Sequence, residues 1–183
     1  MENKKVLLHA CCAICSGYPI TFLKDIGYDV AVYFCNNNFD TLEEYNRRLD
    51  AEKTLCEHFG VELIIEPYNP QVYLDYVKGL ENEPEGGARC IKCFELRLKE
   101  TAQKAKDLGI KSFTTSMIIS PHKNFKNLCL VGDTVAKEYS LEFLGIDFKK
   151  KDGFLKTNKI SKELGLYRQN YCGCSFAKNS YNR

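Results

Sequence analysis

The stretch His9-Ala10-Cys11-Cys12-Ala13-Ile14-Cys15-Ser16-Gly17 follows a short apolar run, Val6-Leu7-Leu8, and leads into a helical pattern. A strand, a tight turn and a helix in this order open the repeating unit of parallel α/β domains. In many such domains a glycine-rich loop at this turn cradles phosphate. Here the turn carries three thiols instead. Two further pairs lie far along the chain, Cys90-x-x-Cys93 and Cys172-x-Cys174. The expectation is a fold that gathers these seven sulfurs around iron.

Outward from the thiol turn, strands are expected near 5–9, 30–34, 61–65, 112–118 and 141–146. Helices are expected near 12–24, from a Thr41-x-x-Glu44 capping box to Phe59, and near 71–80 and 90–108. Ser120-Pro121 reads as an N-cap with proline at the first helical position, opening a helix to about Lys137. A last helix ends at Gly165, and a tail follows. Strands alternating with helices predict one α/β domain of three layers over residues 1–183, with a mostly parallel five-stranded sheet. Ligands of such sheets bind beyond the carboxyl ends of the strands. Cys11 and Cys12, Cys35 to Asn38, Tyr68, Ser120, His122 and Asp147 all fall there.

The chain has 183 residues, 44% hydrophobic and 27% charged, with a formal net charge of +2. That length supports a real core, and that charge excludes a polycation, so any nucleic-acid contact needs local basic patches. The N-terminal apolar run is too short for a signal sequence and no run reaches membrane-spanning length. A cytoplasmic protein with no membrane contact is expected. Ten cysteines in a reducing compartment point to metal binding or redox chemistry.

Cys12 and Cys15 share the Cys-x-x-Cys spacing of Cys90 and Cys93, and both pairs sit at a helix start. The spacing lets two thiolates turn toward one metal, and the helix dipole favours their ionised form. Zinc, iron–sulfur and dithiol redox sites all use it. Zinc or a [4Fe–4S] cube takes four sulfurs at most, which leaves three for a second metal or a redox-active pair. Cys56 and Cys129 read as helix packing, and Cys35 has no assigned role.

Asp147 could ligate a metal or donate a proton, or be a solvated loop charge. His9 reads as a packed histidine, and His122 as a residue of a helix's first turn. Lys149, Lys150, Lys151 and Arg168 form a basic quarter in which Tyr167 and Tyr171 interleave. Such groups pair with phosphates and stack on unpaired bases, or simply make a charged surface.

Taken together, His9-Ala10-Cys11-Cys12-Ala13-Ile14-Cys15, Arg89-Cys90-Ile91-Lys92-Cys93-Phe94-Glu95-Leu96-Arg97-Leu98, Phe113-Thr114-Thr115-Ser116, Ser120-Pro121-His122 and Tyr167-Arg168-Gln169-Asn170-Tyr171-Cys172-Gly173-Cys174 resemble the epoxyqueuosine reductase QueH family. The likeness runs from Val6 to Phe176. It implies a fold like the adenine-nucleotide α-hydrolase (HUP) group and reduction of epoxyqueuosine in tRNA to queuosine. It also implies a [4Fe–4S] cluster with a second iron nearby, tRNA as partner and an electron donor not identified by the sequence. Cys11, Cys12, Cys90 and Cys93 are the matching cofactor ligands. Cys15, Cys172, Cys174 and Asp147 complete the metal-binding set, with the Cys-Gly-Cys tail closing the site. The division of ligands between the two centres is left open. Asp147 and His122 are the catalytic candidates, and Lys149 to Lys151, Arg168, Tyr167 and Tyr171 the expected tRNA contacts.

Ile14, Asn37 and Thr41 stand where this family usually has proline, and Lys149 where it usually has arginine. Two other readings stay open: an iron–sulfur tRNA sulfur transferase of the PP-loop type, and a zinc-bound RNA-binding module. The first needs an ATP-binding loop after the first strand, where this chain has thiols.

Overall fold

A computed structural model describes residues 4–180, without the side chains of 178–180. Its centre is the strand that precedes the thiol turn. In β1 (Lys4–His9), Val6, Leu7 and Leu8 are fully buried. A run that is apolar on both faces is what a central parallel strand needs. Each such side chain contributes about 1.5–3 kcal/mol by leaving water.

α1 (Ala13–Asp25) follows, then β2 (Tyr28–Phe34), α2 (Leu42–Phe59), β3 (Glu62–Ile65), α3 (Pro70–Tyr76), α4 (Ala88–Asp107) and β4 (Ser112–Thr115). A 3₁₀ turn (Ser116–Ile119), α5 (Phe125–Tyr139), β5 (Glu142–Phe143), α6 (Gly153–Glu163) and α7 (Ser175–Ser180) complete the order. The sheet order is β3-β2-β1-β4-β5, and every pairing is parallel. The chain therefore reverses its direction of winding between β1 and β4. Such a switch point opens a crevice at the carboxyl ends of the two strands. The thiol turn leaves β1 at that crevice.

Local chemistry explains most element ends. Thr41 Oγ1 accepts from the Glu44 N–H, which starts α2. Gly60 ends it in the left-handed region at φ 60°. The Glu44 side chain does not close the capping box and turns to Arg48 instead. Asn37, another departure from the family pattern, donates to Glu100 Oε1 and accepts from the Asn69 N–H, so its amide ties β2's loop to α3 and α4.

Several expected boundaries move. β4 ends at Thr115, because its hydroxyl accepts from the Met117 N–H and starts a 3₁₀ turn. Ser120 does not cap a helix. Asn124 does, its Oδ1 accepting from the Asn127 N–H at 3.0 Å, so His122 lies in a turn before α5 and not in its first turn. β5 shrinks to two residues. α7, absent from the expectation, closes the tail. Leu42, the first residue of α2, is 56% exposed, whereas Glu44, Arg48 and Glu52 are buried. Among the described residues no helix is long and apolar enough to cross a membrane.

Candidate metal–sulfur centre

The first sulfurs are positioned by the end of the central strand. Ser116, just past β4, accepts from the Cys11 N–H at 3.0 Å and donates to Cys11 Sγ at 3.3 Å. His9 holds the strand ends together, its ring nitrogens meeting Thr115 Oγ1 at 2.9 Å and the Cys35 carbonyl at 3.2 Å. Burial pushes the His9 pKa down to about 3, so the ring is neutral and structural. The sulfurs of Cys11, Cys12 and Cys15 all lie within 4.8 Å of one another, and Cys11 and Cys12 are 3.9 Å apart.

Two other blocks reach the same place. A cavity of about 370 Å³ is lined by Cys11, Cys12, Cys15, Cys90, Cys93, Cys172 and Cys174. All seven sulfurs singled out in the sequence thus line one cavity. The remaining cysteines do not line it. Cys56 packs in the core, and Cys35 donates its thiol proton to Glu100 Oε2 at 3.1 Å.

The tail cysteines are brought in by a residue that the sequence reading passed over. Arg48 is 2% exposed and donates from Nη1 to the Cys172 carbonyl at 3.0 Å and from Nη2 to the Tyr171 carbonyl at 3.1 Å. Its Nε pairs with Glu44 Oε1 at 2.6 Å, and its guanidinium lies over the Phe39 ring. Glu44, Arg48 and Glu52 recur every four residues, the one signal that a polar stripe of α2 faces inward. Gly173 lies beneath this clamp at φ 116°, where a Cβ would sit 2.5 Å from the Phe39 ring. The tail can follow this path only with glycine between its two cysteines.

Among the clustered sulfurs the electrostatics favour one thiolate, at Cys11. Hydrogen bonds from Cys12 and Cys15, helped by the charges of Lys123 and Arg97, hold the Cys11 thiol well below its usual range against the effect of burial. Hydrogen bonds with Cys11 and Cys12, joined by burial and the Cys11 charge, hold Cys15 well above it. A metal bound by these thiols would displace the protons they still carry. Burial pushes Cys93 up to about 12 and also raises Cys90. The expected ionisation of this pair by the helix dipole is therefore overridden when no metal is present. Burial opposes the charge of Lys123, but the sulfurs of Cys172, Cys11 and Cys15 outweigh it and raise its pKa. The donor set fits a thiolate-held metal group: clustered sulfurs in one cavity, with buried cations close by.

The other expected residues divide. His122 is at the cavity wall but exposed, and Lys123 beside it is more enclosed. Arg168 lines the cavity and donates to Asn158 Oδ1 at 2.7 Å. Tyr171 lines it too, with its hydroxyl on Asp40. Tyr167 lies in an adjoining groove of about 440 Å³ and donates to Glu44 Oε2. Lys150 and Lys151 are exposed, whereas Lys149 Nζ donates to the Lys123 carbonyl at 2.9 Å and braces that turn. Asp147 does not line the cavity. Its Oδ1 accepts from the Lys149 N–H, which caps a local turn. Asn38, expected at this edge of the sheet, lines the cavity, and so does Phe154, which the sequence did not single out.

A parallel α/β domain with cysteines of three distant blocks lining one cavity at its switch point defines a class of protein with a thiol-rich site that could hold a metal. Residues 6–180 match the family described as epoxyqueuosine reductase QueH. The chain belongs to that family. It is 41% identical over 178 residues to the epoxyqueuosine reductase QueH of Streptococcus pyogenes serotype M1, covering 94% of this chain and 69% of that one. The QueH of Dehalococcoides mccartyi is 36% identical over 174 residues, covering 95% of this chain and 92% of the relative. Among solved structures, the U34-tRNA thiolase NcsA from Methanococcus maripaludis, determined with its [4Fe-4S] cluster, aligns at a TM-score of 0.58. At 14% identity, over 98% of this chain and 64% of that one, this likeness shows the fold.

Proposed function

We propose that this chain reduces epoxyqueuosine in tRNA to queuosine. The observation that carries the proposal is the convergence of seven cysteines on one cavity, beside Arg97 and Lys123, in a chain of this family. Removing the epoxide oxygen as water leaves an alkene and takes two electrons and two protons. A bound cluster would supply electrons singly, and an iron next to it would polarise the epoxide oxygen.

Cys11, Cys12, Cys90 and Cys93 would hold the [4Fe–4S] cluster. Cys15, Cys172 and Cys174 remain for the second iron or for a redox-active pair. Arg97 and Lys123 offset the negative charge of the sulfurs, and the turn that carries Lys123 keeps His122 at the mouth as a proton source. The substrate nucleoside must leave its loop to reach the cavity. Arg168 at the rim, with Phe154 beside it, would receive the flanking chain there, and Lys150 and Lys151 would meet its phosphates. A tRNA substrate places the activity in the cytoplasm.

Anaerobic purification with iron and sulfide analysis, EPR spectroscopy and turnover on tRNA carrying epoxyqueuosine tests this reading. More than four irons per chain and queuosine as product are expected. Zinc in place of iron, or consumption of ATP in turnover, would sink it.

A further inference from the structure

Three asparagines in a row, Asn36, Asn37 and Asn38, follow β2. All three are buried. The first two have their amides engaged within the protein. Asn36 donates to the Ala10 carbonyl at 2.9 Å and accepts from Arg97 Nη2. Asn37 bridges Glu100 and the Asn69 N–H.

Asn38 differs. It is 2% exposed and lines the cavity, yet neither its Nδ2 nor its Oδ1 has a hydrogen-bond partner among the described residues. A buried amide with both ends unmet is disfavoured in a folded protein unless a ligand completes it. Cys12, Cys172 and Cys174, which line the same cavity, are sulfurs that a metal would engage. Cluster sulfurs only accept hydrogen bonds, so they could satisfy Nδ2 but would leave Oδ1 unmet. A single group that meets both shows an acceptor and a donor side by side.

We infer that Asn38 is a specificity-determining residue that makes a two-point hydrogen bond to the target nucleoside, Nδ2 donating and Oδ1 accepting. The inference rests on the function proposed above. An adjacent acceptor and donor occur on the amide edge of a guanine-type base and on a ring bearing hydroxyls, and Asn38 suits either. Sites built to hydrogen-bond a substrate discriminate strongly, because a ligand without those groups leaves buried polar atoms unpaired. The rest of the β2 loop supports this role. Asn36 and Asn37 tie the loop to Arg97 and Glu100 of α4, so Asn38 is held in place before any ligand arrives.

The test compares wild type with Asn38→Leu and Asn38→Asp, each purified anaerobically with its iron. Leucine matches the shape of asparagine and removes both polar ends. Thermal stability equal to or above wild type and unchanged iron content are expected for it, because no internal hydrogen bond is lost. Affinity for an anticodon stem–loop RNA carrying epoxyqueuosine should fall ten- to a hundredfold. Asn38→Asp keeps the acceptor and loses the donor, and it should also fall at least tenfold. The same RNA with guanosine at the target position separates the two ligand edges. A parallel loss there assigns the base edge, and a loss confined to the modified RNA assigns the hydroxyl-bearing ring. Unchanged affinity for both RNAs overturns the inference. So does a lower melting temperature with lost iron in both variants, which would make Asn38 structural. Wild-type turnover of the modified RNA tests the underlying function separately. Turnover there with no loss in either variant removes only the Asn38 assignment.

Discussion

Arg48 Nη1 donates to the carbonyl oxygen of Cys172 at 3.0 Å, although the two residues are 124 positions apart. The same guanidinium reaches the Tyr171 carbonyl and pairs with buried Glu44. One side chain thus carries the tail cysteines to a cavity whose other sulfurs come from the turn after β1, from α1 and from α4.

Replacing Arg48 by alanine leaves Glu44 buried without its cation and two tail carbonyls without donors. Breaking a buried pair of this kind costs about 3–5 kcal/mol. Chemical denaturation should show a loss of this size. Arg48→Lys keeps the charge but not the fork, so it should recover part of the stability while the tail becomes open to proteolysis and iron content falls. Full iron loading in both variants would show that the clamp does not place the tail.

Gly173→Ala tests the same path from the other side. A Cβ at φ 116° is strained, and it would meet the Phe39 ring at 2.5 Å. A destabilisation of about 1–3 kcal/mol is expected, together with fewer irons per chain. Equal melting temperatures and iron content for mutant and wild type would refute the close approach.

Asp147→Asn should leave iron content and turnover unchanged, because that carboxylate caps a turn away from the cavity. Cys12→Ser and Cys93→Ser should each remove iron and abolish turnover. Loss of iron in the Asp147 variant would restore the aspartate to the ligand set.

Glu52 predicts a pH dependence. It is fully buried, its Oε2 accepts from Ser16 at 3.3 Å, and its Oε1 has no partner among the described residues. Burial pushes its pKa up from 4.5 to about 8, with the Cys11 charge adding to the rise. Below 4.5 the carboxyl is protonated in both the folded and unfolded chain, and it adds no slope. Between 4.5 and about 8 only the unfolded chain ionises, so stability falls as pH rises, then levels off. One such proton is worth about 1.4 kcal/mol per pH unit. Glu52→Gln should lose this slope, and its melting temperature should gain on wild type steadily from pH 5 to pH 8. A constant difference across that range would show that Glu52 is ionised in the fold.

Much of the architecture was legible because it is written in local spacing. The apolar run of β1, the Thr41 cap and the Gly60 stop, and the alternation of strand and helix each depend on a few neighbouring residues. The packed role expected of His9 follows from the low odds of a lone catalytic histidine, and the clamp it forms bears this out. The helix expected from Ser120-Pro121 failed because two cap signals, Ser120 and Asn124, lie four residues apart. The downstream one holds the hydrogen bond that starts the helix.

By itself, the order of residues determined that thiols replace a phosphate loop at the end of the central strand, that three cysteine blocks exist at ligand spacing, and which family they mark. Only the folded chain decided which polar groups attend them. Arg48, Arg97, Lys123 and Asn38 face the cavity while Asp147 turns away. Charged side chains are read as solvated by default, and their burial depends on partners supplied by loops far away in the chain. Periodicity encodes the face a residue occupies on its own element, whereas the neighbour that face meets is set by how the sheet and its helices close.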